Sequence, residues 1–278
     1  MTRTEFRYAH HPDDVKNYTT EQLRKHFLIE DLFQEDTIKL VYTMYDRYLV
    51  GGIFPVTGPL KLETIEELKS ENFLDRRELG IINVGGKGSV TVDGEMYELD
   101  HKEALYIGKG NKEIVFDKTG SGQPCFYINS APAHHAYPTR KITKSEAEIV
   151  QLGEEKYANK RTVNKLIVNS VLETCQLQMG MTELHPGSIW NTLPAHTHER
   201  RMEAYFYFEL EEGQAVCHFM GQPQETRHIF MKNHQAVISP EWSIHSGAGT
   251  SSYTFIWGMA GENLDYSDMD IVSPDQMK

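Results

Sequence analysis

Four residues in the second half of the chain carry the donor types of a transition-metal site: His196, His198, Glu203 and His245. The first three lie in Pro194-Ala-His-Thr-His198-Glu-Arg-Arg-Met-Glu203. A spacing of two puts both imidazoles on one face of a strand. Glu203 follows His198 by five, an odd interval, so plain alternation would turn it to the opposite face. A turn or bulge must intervene if the three are to converge, and Arg200-Arg201 is the place for it. His245 follows in Ser239-Pro-Glu-Trp-Ser-Ile-His245, where a strand ends near Pro240 and a short excursion returns. Three neutral imidazoles and one carboxylate suit Zn²⁺, Fe²⁺, Mn²⁺ or Ni²⁺. His134 and His135 are adjacent and would face opposite ways on a strand, so they read as non-ligands.

The elements that must position these donors are mostly strands. Residues 89–92 and 95–99 alternate and flank Asp93-Gly94, a strong hairpin signal because a type I′ turn needs positive φ at both central positions. Residues 104–107 and 114–116 continue the pattern. In the second half, 175–181, 203–210, 215–220, 227–232 and 236–238 read as strands. A helix is predicted over 20–33, with Leu23, Phe27 and Leu28 on one face and Thr19 with Gln22 forming a capping box. A second short helix is predicted over 63–69. The texture changes between 131 and 159, which places a domain boundary near residue 150. The halves 1–150 and 151–278 also resemble each other. Arg76-Arg-Glu-Leu-Gly-Ile-Ile82 parallels Arg200-Arg-Met-Glu-Ala-Tyr-Phe206 with one inserted residue, and 104–108 parallels 236–240. The expectation is an all-β chain with a duplicated antiparallel barrel and a few short helices.

The whole-chain numbers set outer limits. With 278 residues, 39% hydrophobic and 24% charged, the chain is globular, and disorder or a collagen-like fold is excluded. A net charge of −12 argues against a general nucleic-acid or anionic-membrane binder. It leaves room for a small anionic substrate, since a local arginine cluster overrides net charge. The N-terminus lacks the apolar core of a signal peptide, and no later stretch approaches the roughly 20 apolar residues of a membrane span. Cys125, Cys175 and Cys217 are scattered with no Cys-X-X-Cys, as in a reducing compartment. A soluble cytoplasmic protein is expected.

His-X-His-X4-Glu followed by a Pro-flanked strand and a histidine resembles the cupin metal signature. Longer phrases are more specific. Val50-Gly-Gly-Ile53, Arg76 to Gly80, Ala104 to Gly110, Leu172 to Cys175, Pro194 to Phe208, Met220 to His228 and Ser243 to Gly247 together resemble the 5-keto-4-deoxyuronate isomerase family over nearly the whole chain. The resemblance implies a bicupin of two antiparallel jelly-roll-type β-barrels and a homohexameric assembly. It also implies conversion of 5-dehydro-4-deoxy-D-glucuronate to 3-deoxy-D-glycero-2,5-hexodiulosonate in pectin and uronate breakdown. It places one Zn²⁺ per chain on His196, His198, Glu203 and His245. The first barrel offers Phe73-Leu-Asp75 in place of the histidine pair, Glu78 in place of Glu203 and a position near Glu113 in place of His245, so it is expected to hold no metal.

The family's reaction moves a proton between adjacent carbons through an enediolate, a step suited to a Lewis-acidic ion. The base stays open among Glu225, Glu183, Glu199, Tyr205 and Tyr207, with Glu225 and Tyr205 the leading catalytic candidates. A guanidinium fork matches the substrate carboxylate. Arg227, Arg161 and Lys165 are the substrate-binding candidates, and Arg200-Arg201 is either a further anchor, a subunit contact or a solvated turn. Two competing functions use the same four donors: an Fe²⁺ cupin dioxygenase, and a non-catalytic sugar-binding bicupin. A regulator with a DNA-binding helix is disfavoured, because the tail Asn263 to Asp270 is acidic.

Overall fold

The computed structural model describes residues 1–278, which divide into two compact units. The first comprises Met1–Arg7, Asp31–Glu148 and Leu166–Met179, and the second Tyr8–Glu30, Ile149–Lys165 and Gly180–Lys278. A single cut near residue 150 therefore does not separate them. The N-terminal helical segment belongs to the second unit because Leu28–Ile29 adds a strand beside Gln235–Ser239, burying Phe27, Leu28 and Ile29. Turn and texture signals mark where the chain bends, not which sheet a segment joins.

Each unit is built on a seven-stranded sheet accompanied by a four-stranded one, and the second adds a two-stranded sheet, Ala195–Thr197 with Asp270–Val272. In the first unit the larger sheet runs Thr2–Arg7, Thr37–Thr43, Leu49–Phe54, Phe126–Pro132, Arg77–Asn83, Ala104–Ile107, Arg140–Ile142. The smaller runs Leu60–Lys61, Ile114–Lys118, Gly88–Val92, Glu95–Leu99. Inward residues of both, including Leu40, Ile81, Leu105, Val90 and Phe116, form one apolar core. Thr2–Arg7 runs parallel to Thr37–Thr43, a departure from the expected antiparallel pattern. The Asp93-Gly94 hairpin forms as expected, with φ of 47° and 89° at its two central residues.

The second unit repeats the plan. Its larger sheet runs Glu148–Leu152, Arg161–Ile167, Gln178–Leu184, Thr254–Gly261, Arg201–Phe208, Gln235–Ser239, Leu28–Ile29. Its smaller runs Trp190–Asn191, Ser246–Gly249, Val216–Gln222, Glu225–Met231. The helix Thr20–Phe27 carries the Thr19–Gln22 capping box but stops short of residue 33, where strand pairing takes over. The segment predicted as helix over 63–69 shrinks to a single 3₁₀ turn, Glu66–Leu68.

Strand register makes the duplication explicit and corrects one position. Ala104 lies opposite Ile82, and Ala236 lies opposite Phe206. Counting back from those pairs sets Leu79 at the place of Glu203 and Arg77 at the place of Arg201. Glu78 is therefore not the counterpart of Glu203. A one-residue slip turns a side chain to the other face of a sheet. Leu79 accordingly joins the apolar core, while Glu78 is fully buried on the opposite face. There its carboxylate accepts the backbone N–H groups of Cys175, Gln176 and Leu177, each at 2.8 Å, and the Tyr106 hydroxyl at 2.7 Å. Glu113 is exposed and paired with Lys61 at 3.1 Å. No helix is long and apolar enough to cross a membrane, and the three cysteines are free.

Candidate metal centre and its cavity

Three local features bring the four donors together. Ala195–Thr197 pairs with Asp270–Val272 and fixes His196 on a strand. The chain then turns, with Arg201 N–H donating to the His198 carbonyl at 3.0 Å. That turn resolves the odd His198–Glu203 interval, and Glu203 enters on the inward side of Arg201–Phe208. His245 arrives just before Ser246–Gly249, after a loop in which Ser243 Oγ accepts the Gly221 N–H at 2.9 Å. One ligand atom from each of the four lies within 4.8 Å of every other. His198, Glu203 and His245 are 2%, 4% and 1% exposed, and His196 keeps more contact with solvent.

The ring orientations show what the cluster is built to hold. His198 Nδ1 lies 2.8 Å from the Arg201 carbonyl, and His245 Nδ1 lies 3.3 Å from the Ser243 carbonyl. A carbonyl only accepts, so both rings carry their proton on Nδ1 and turn Nε2 inward. His245 Nε2 then sits 2.9 Å from both Glu203 Oε2 and His196 Nε2, and His198 Nε2 sits 2.9 Å from Glu203 Oε2. Lone pairs and a carboxylate crowded this closely require positive charge among them, either a proton or a metal ion. Carbonyls on the far nitrogens are the outer-shell partners that orient metal-ligating histidines.

The electrostatics agree. Burial, reinforced by His245, pushes the His196 imidazole down to about 2, so it is neutral and ready to donate a lone pair. Burial alone would raise the Glu203 carboxyl, but His245 and His198 outweigh it and hold the group well below the usual carboxylate range. For His198, burial works downward and its hydrogen bond to Glu203 prevails, raising the imidazole. The donor set therefore fits a divalent borderline metal, which would displace the proton that His198 otherwise keeps.

A cavity of about 240 Å³ adjoins the cluster, with His196, His198 and Glu203 in its wall. Tyr205 and Arg161 line it too, as two of the sequence candidates. Tyr205 stands with its hydroxyl 2.9 Å from Thr192 Oγ1 and its ring 5.4 Å from that of His245. Full burial raises its hydroxyl well above the ordinary range, so it is neutral and a donor.

The profile of the KduI/IolB family matches residues 27–273. The chain belongs to the KduI/IolB family. Among its relatives, the 4-deoxy-L-threo-5-hexosulose-uronate ketol-isomerase of Formosa agariphila is 62% identical over 278 residues, covering 100% of this chain and 99% of the relative. The enzyme of the same name in Bacteroides fragilis is 57% identical over 270 residues, 97% of this chain and 96% of the relative. Among solved structures, an IolB-like protein of Salmonella typhimurium superposes with a TM-score of 0.67 at 16% identity, over 81% of this chain and 87% of that one. The oxalate decarboxylase of Lactobacillus farciminis gives 0.56 at 10% identity, over 82% and 80%. At such identities these two likenesses speak for the fold alone, that of a two-barrel cupin.

In this family member, the remaining sequence candidates divide. Arg161 reaches the cavity with Nη1 donating to the Asn159 carbonyl at 2.8 Å, and burial pushes its guanidinium below the ordinary value. Lys165 stands behind the wall, its Nζ 4.4 Å from the ring centre of Tyr266, which lines the cavity. Glu225 and Arg227 are not brought to the cavity. They pair with each other at 3.1 Å on the edge strand Glu225–Met231, and Arg227 Nη1 donates to the Thr226 carbonyl at 3.0 Å. They share strand parity, and the edge position lets the two charges satisfy each other. Glu183 accepts from Asn164 Nδ2 at 2.9 Å, Glu199 is exposed, and the Tyr207 hydroxyl meets His218 Nδ1 at 2.8 Å.

Arg200 and Arg201 separate sharply. Arg200 Nε donates to Asp268 at 2.7 Å from a surface turn. Arg201 is 1% exposed, lines the cavity, and donates from Nη2 to the Asp268 carbonyl at 2.9 Å. Sequence reasoning missed Thr192 and Tyr266. Tyr266 had a signal, since the acidic tail 263–270 faces a paired arginine turn of opposite charge. Thr192 had none.

Proposed function

We propose that this chain is a metal-dependent aldose–ketose isomerase acting on 4-deoxy-L-threo-5-hexosulose uronate, the 5-keto-4-deoxyuronate of pectin and uronate breakdown, and yielding 3-deoxy-D-glycero-2,5-hexodiulosonate. The observation that carries the reading is the full-length 62% identity to a ketol-isomerase of that name. The buried three-histidine, one-carboxylate cluster beside a cavity supports it. His196, His198, Glu203 and His245 would hold one Zn²⁺. Bound there, a divalent ion supplies Lewis-acid polarisation of a neighbouring carbonyl.

The chain's own residues account for binding and charge control. Arg161 takes the substrate carboxylate, since its guanidinium is desolvated and only one of its donors is committed. Lys165 adds positive charge behind Tyr266. Tyr205 donates a hydrogen bond from its hydroxyl to the substrate oxygen on which negative charge develops. Thr192 fixes the Tyr205 hydroxyl in place. Trp257, Phe255 and Met259 exclude water along the wall. The hexamer implied by the resemblance and the cytoplasmic setting expected from the sparse, scattered cysteines belong to the same proposal.

The test is an incubation with the uronate under an oxygen electrode, with and without a chelator. The reading expects ketose formation without oxygen uptake, abolished by chelation and restored by Zn²⁺. Oxygen consumption in step with substrate loss would instead establish the Fe²⁺ dioxygenase. Binding without turnover in metal-replete protein would establish the sugar-binding bicupin.

A further inference from the structure

Arg77 holds in the first unit the register place that Arg201 holds in the second, and like Arg201 it is buried, at 5% exposure. It lines a cavity of about 210 Å³ together with Arg47, Arg76, Tyr42, Glu67 and Ser70. The partners of Arg77 are all neutral. Nε donates to Ser130 Oγ at 3.0 Å, and Nη2 donates to the carbonyls of Ser130 and Arg47 at 2.7 and 2.8 Å. Its guanidinium carbon lies 5.8 Å from the centre of the Tyr42 ring. Nη1 makes no hydrogen bond. Burial lowers the guanidinium to about 10, as befits a cation desolvated without a carboxylate in contact.

Buried charges in folded proteins are normally paired. Here a buried cation opens onto a cavity that two further arginines line. Arg76 is held by the Leu68 and Lys69 carbonyls, through one nitrogen, Nη2. Arg47 occupies a left-handed turn position, φ 50°, directly after Asp46 at 44°. That conformation suits glycine better, yet it is what presents the Arg47 carbonyl to Arg77. Glu67 is the one carboxylate in the wall. Leu79 holds the register place of Glu203, so this site keeps the guanidinium without that carboxylate.

We propose that the mouth of the first barrel is a binding site for a small oxyanion, a carboxylate-bearing sugar acid or a phosphate, held by Arg77, Arg76 and Arg47. The arginine fork matches both groups, and the cavity admits a ligand of a few carbons. The site is separate from the His–Glu cluster and does not depend on the isomerase reading.

Isothermal titration of the intact protein at low ionic strength tests it, with glucuronate, inorganic phosphate and neutral glucose as probes. The proposal expects saturable binding of an anion and none of glucose. An Arg47→Ala/Arg76→Ala variant, checked for native circular dichroism, should weaken that binding about tenfold or more, as loss of charge-assisted hydrogen bonds implies. Should that variant fail to fold, Glu67→Ala serves instead: removing the lone carboxylate should tighten binding. Arg161→Ala, in the other cavity, should leave phosphate binding here unchanged and remove only the glucuronate binding which that cavity contributes. Glucuronate binding without phosphate binding would assign a sugar acid, and the reverse a phosphate. No saturable anion binding up to about 10 mM, or binding lost in Arg161→Ala but kept in the Arg47/Arg76 variant, would overturn the proposal.

Discussion

Tyr205 and Arg161 do separate work in the proposed reaction, and kinetics can tell them apart. Tyr205 acts where charge develops, so Tyr205→Phe should lower kcat by about 10²–10³ with KM little changed, the range seen when one oxyanion donor is removed. Arg161 acts on a carboxylate remote from the reacting carbons. Arg161→Ala should raise KM by roughly 10- to 100-fold, matching about 1.5–3 kcal/mol for a charge-assisted hydrogen bond. Steady-state rates across substrate concentration distinguish the two patterns, and the reverse pattern would exchange the roles. The four metal donors were legible in the sequence because histidine pairs and an acid at fixed offsets have few other uses. Thr192 was not, because a lone hydroxyl two residues before a proline carries no spacing signal. Glu225 and Arg227 misled for a physical reason: parity fixes the face a side chain takes but not the partner it finds there.

Among the secondary-structure elements, one residue of register decides whether a carboxylate faces the barrel interior. Glu203 and Leu79 occupy matching rungs, and Glu78 lies one step away on the outer face. Sequence similarity aligned the wrong carboxylate because an inserted residue leaves no mark in a short strand-like phrase. The Asp93-Gly94 hairpin and the Thr19–Gln22 cap, in contrast, were legible, since each rests on local backbone chemistry. Glu78 is structural, and its loss should show as such. Glu78→Ala strands three backbone N–H groups, that of Leu177 buried and those of Cys175 and Gln176 part-buried. With about 1–3 kcal/mol for each unsatisfied donor, the variant should lose about 3 kcal/mol or more of stability. Urea denaturation followed by circular dichroism measures this. Bound metal per folded chain should not change; a loss of metal at full folding would place Glu78 in the site after all.

At the scale of the whole molecule, the exchange of segments between the two units was invisible to a reading that sought one boundary. The helical stretch Tyr8–Glu30 and the crossover Leu166–Met179 each join the unit that their neighbours in sequence do not. The second unit depends on a cluster that needs a cation, so metal should stabilise it by mass action. At a hundredfold excess of free metal over Kd this amounts to about 2.7 kcal/mol. Chelation should therefore lower Tm, and His245→Ala should have a Tm that no longer responds to added Zn²⁺. Scanning calorimetry of both proteins checks this; an equal metal response in the two would remove His245 from the ligand set. The central claim, a metal-dependent isomerase working by proton transfer, is tested most directly by an NMR time course of 5-keto-4-deoxyuronate in D₂O. The ketose product should carry deuterium at the former aldehyde carbon and should form with the Zn²⁺-loaded protein but not with the chelated one. Unchanged substrate in the presence of the metal-loaded protein would contradict the claim.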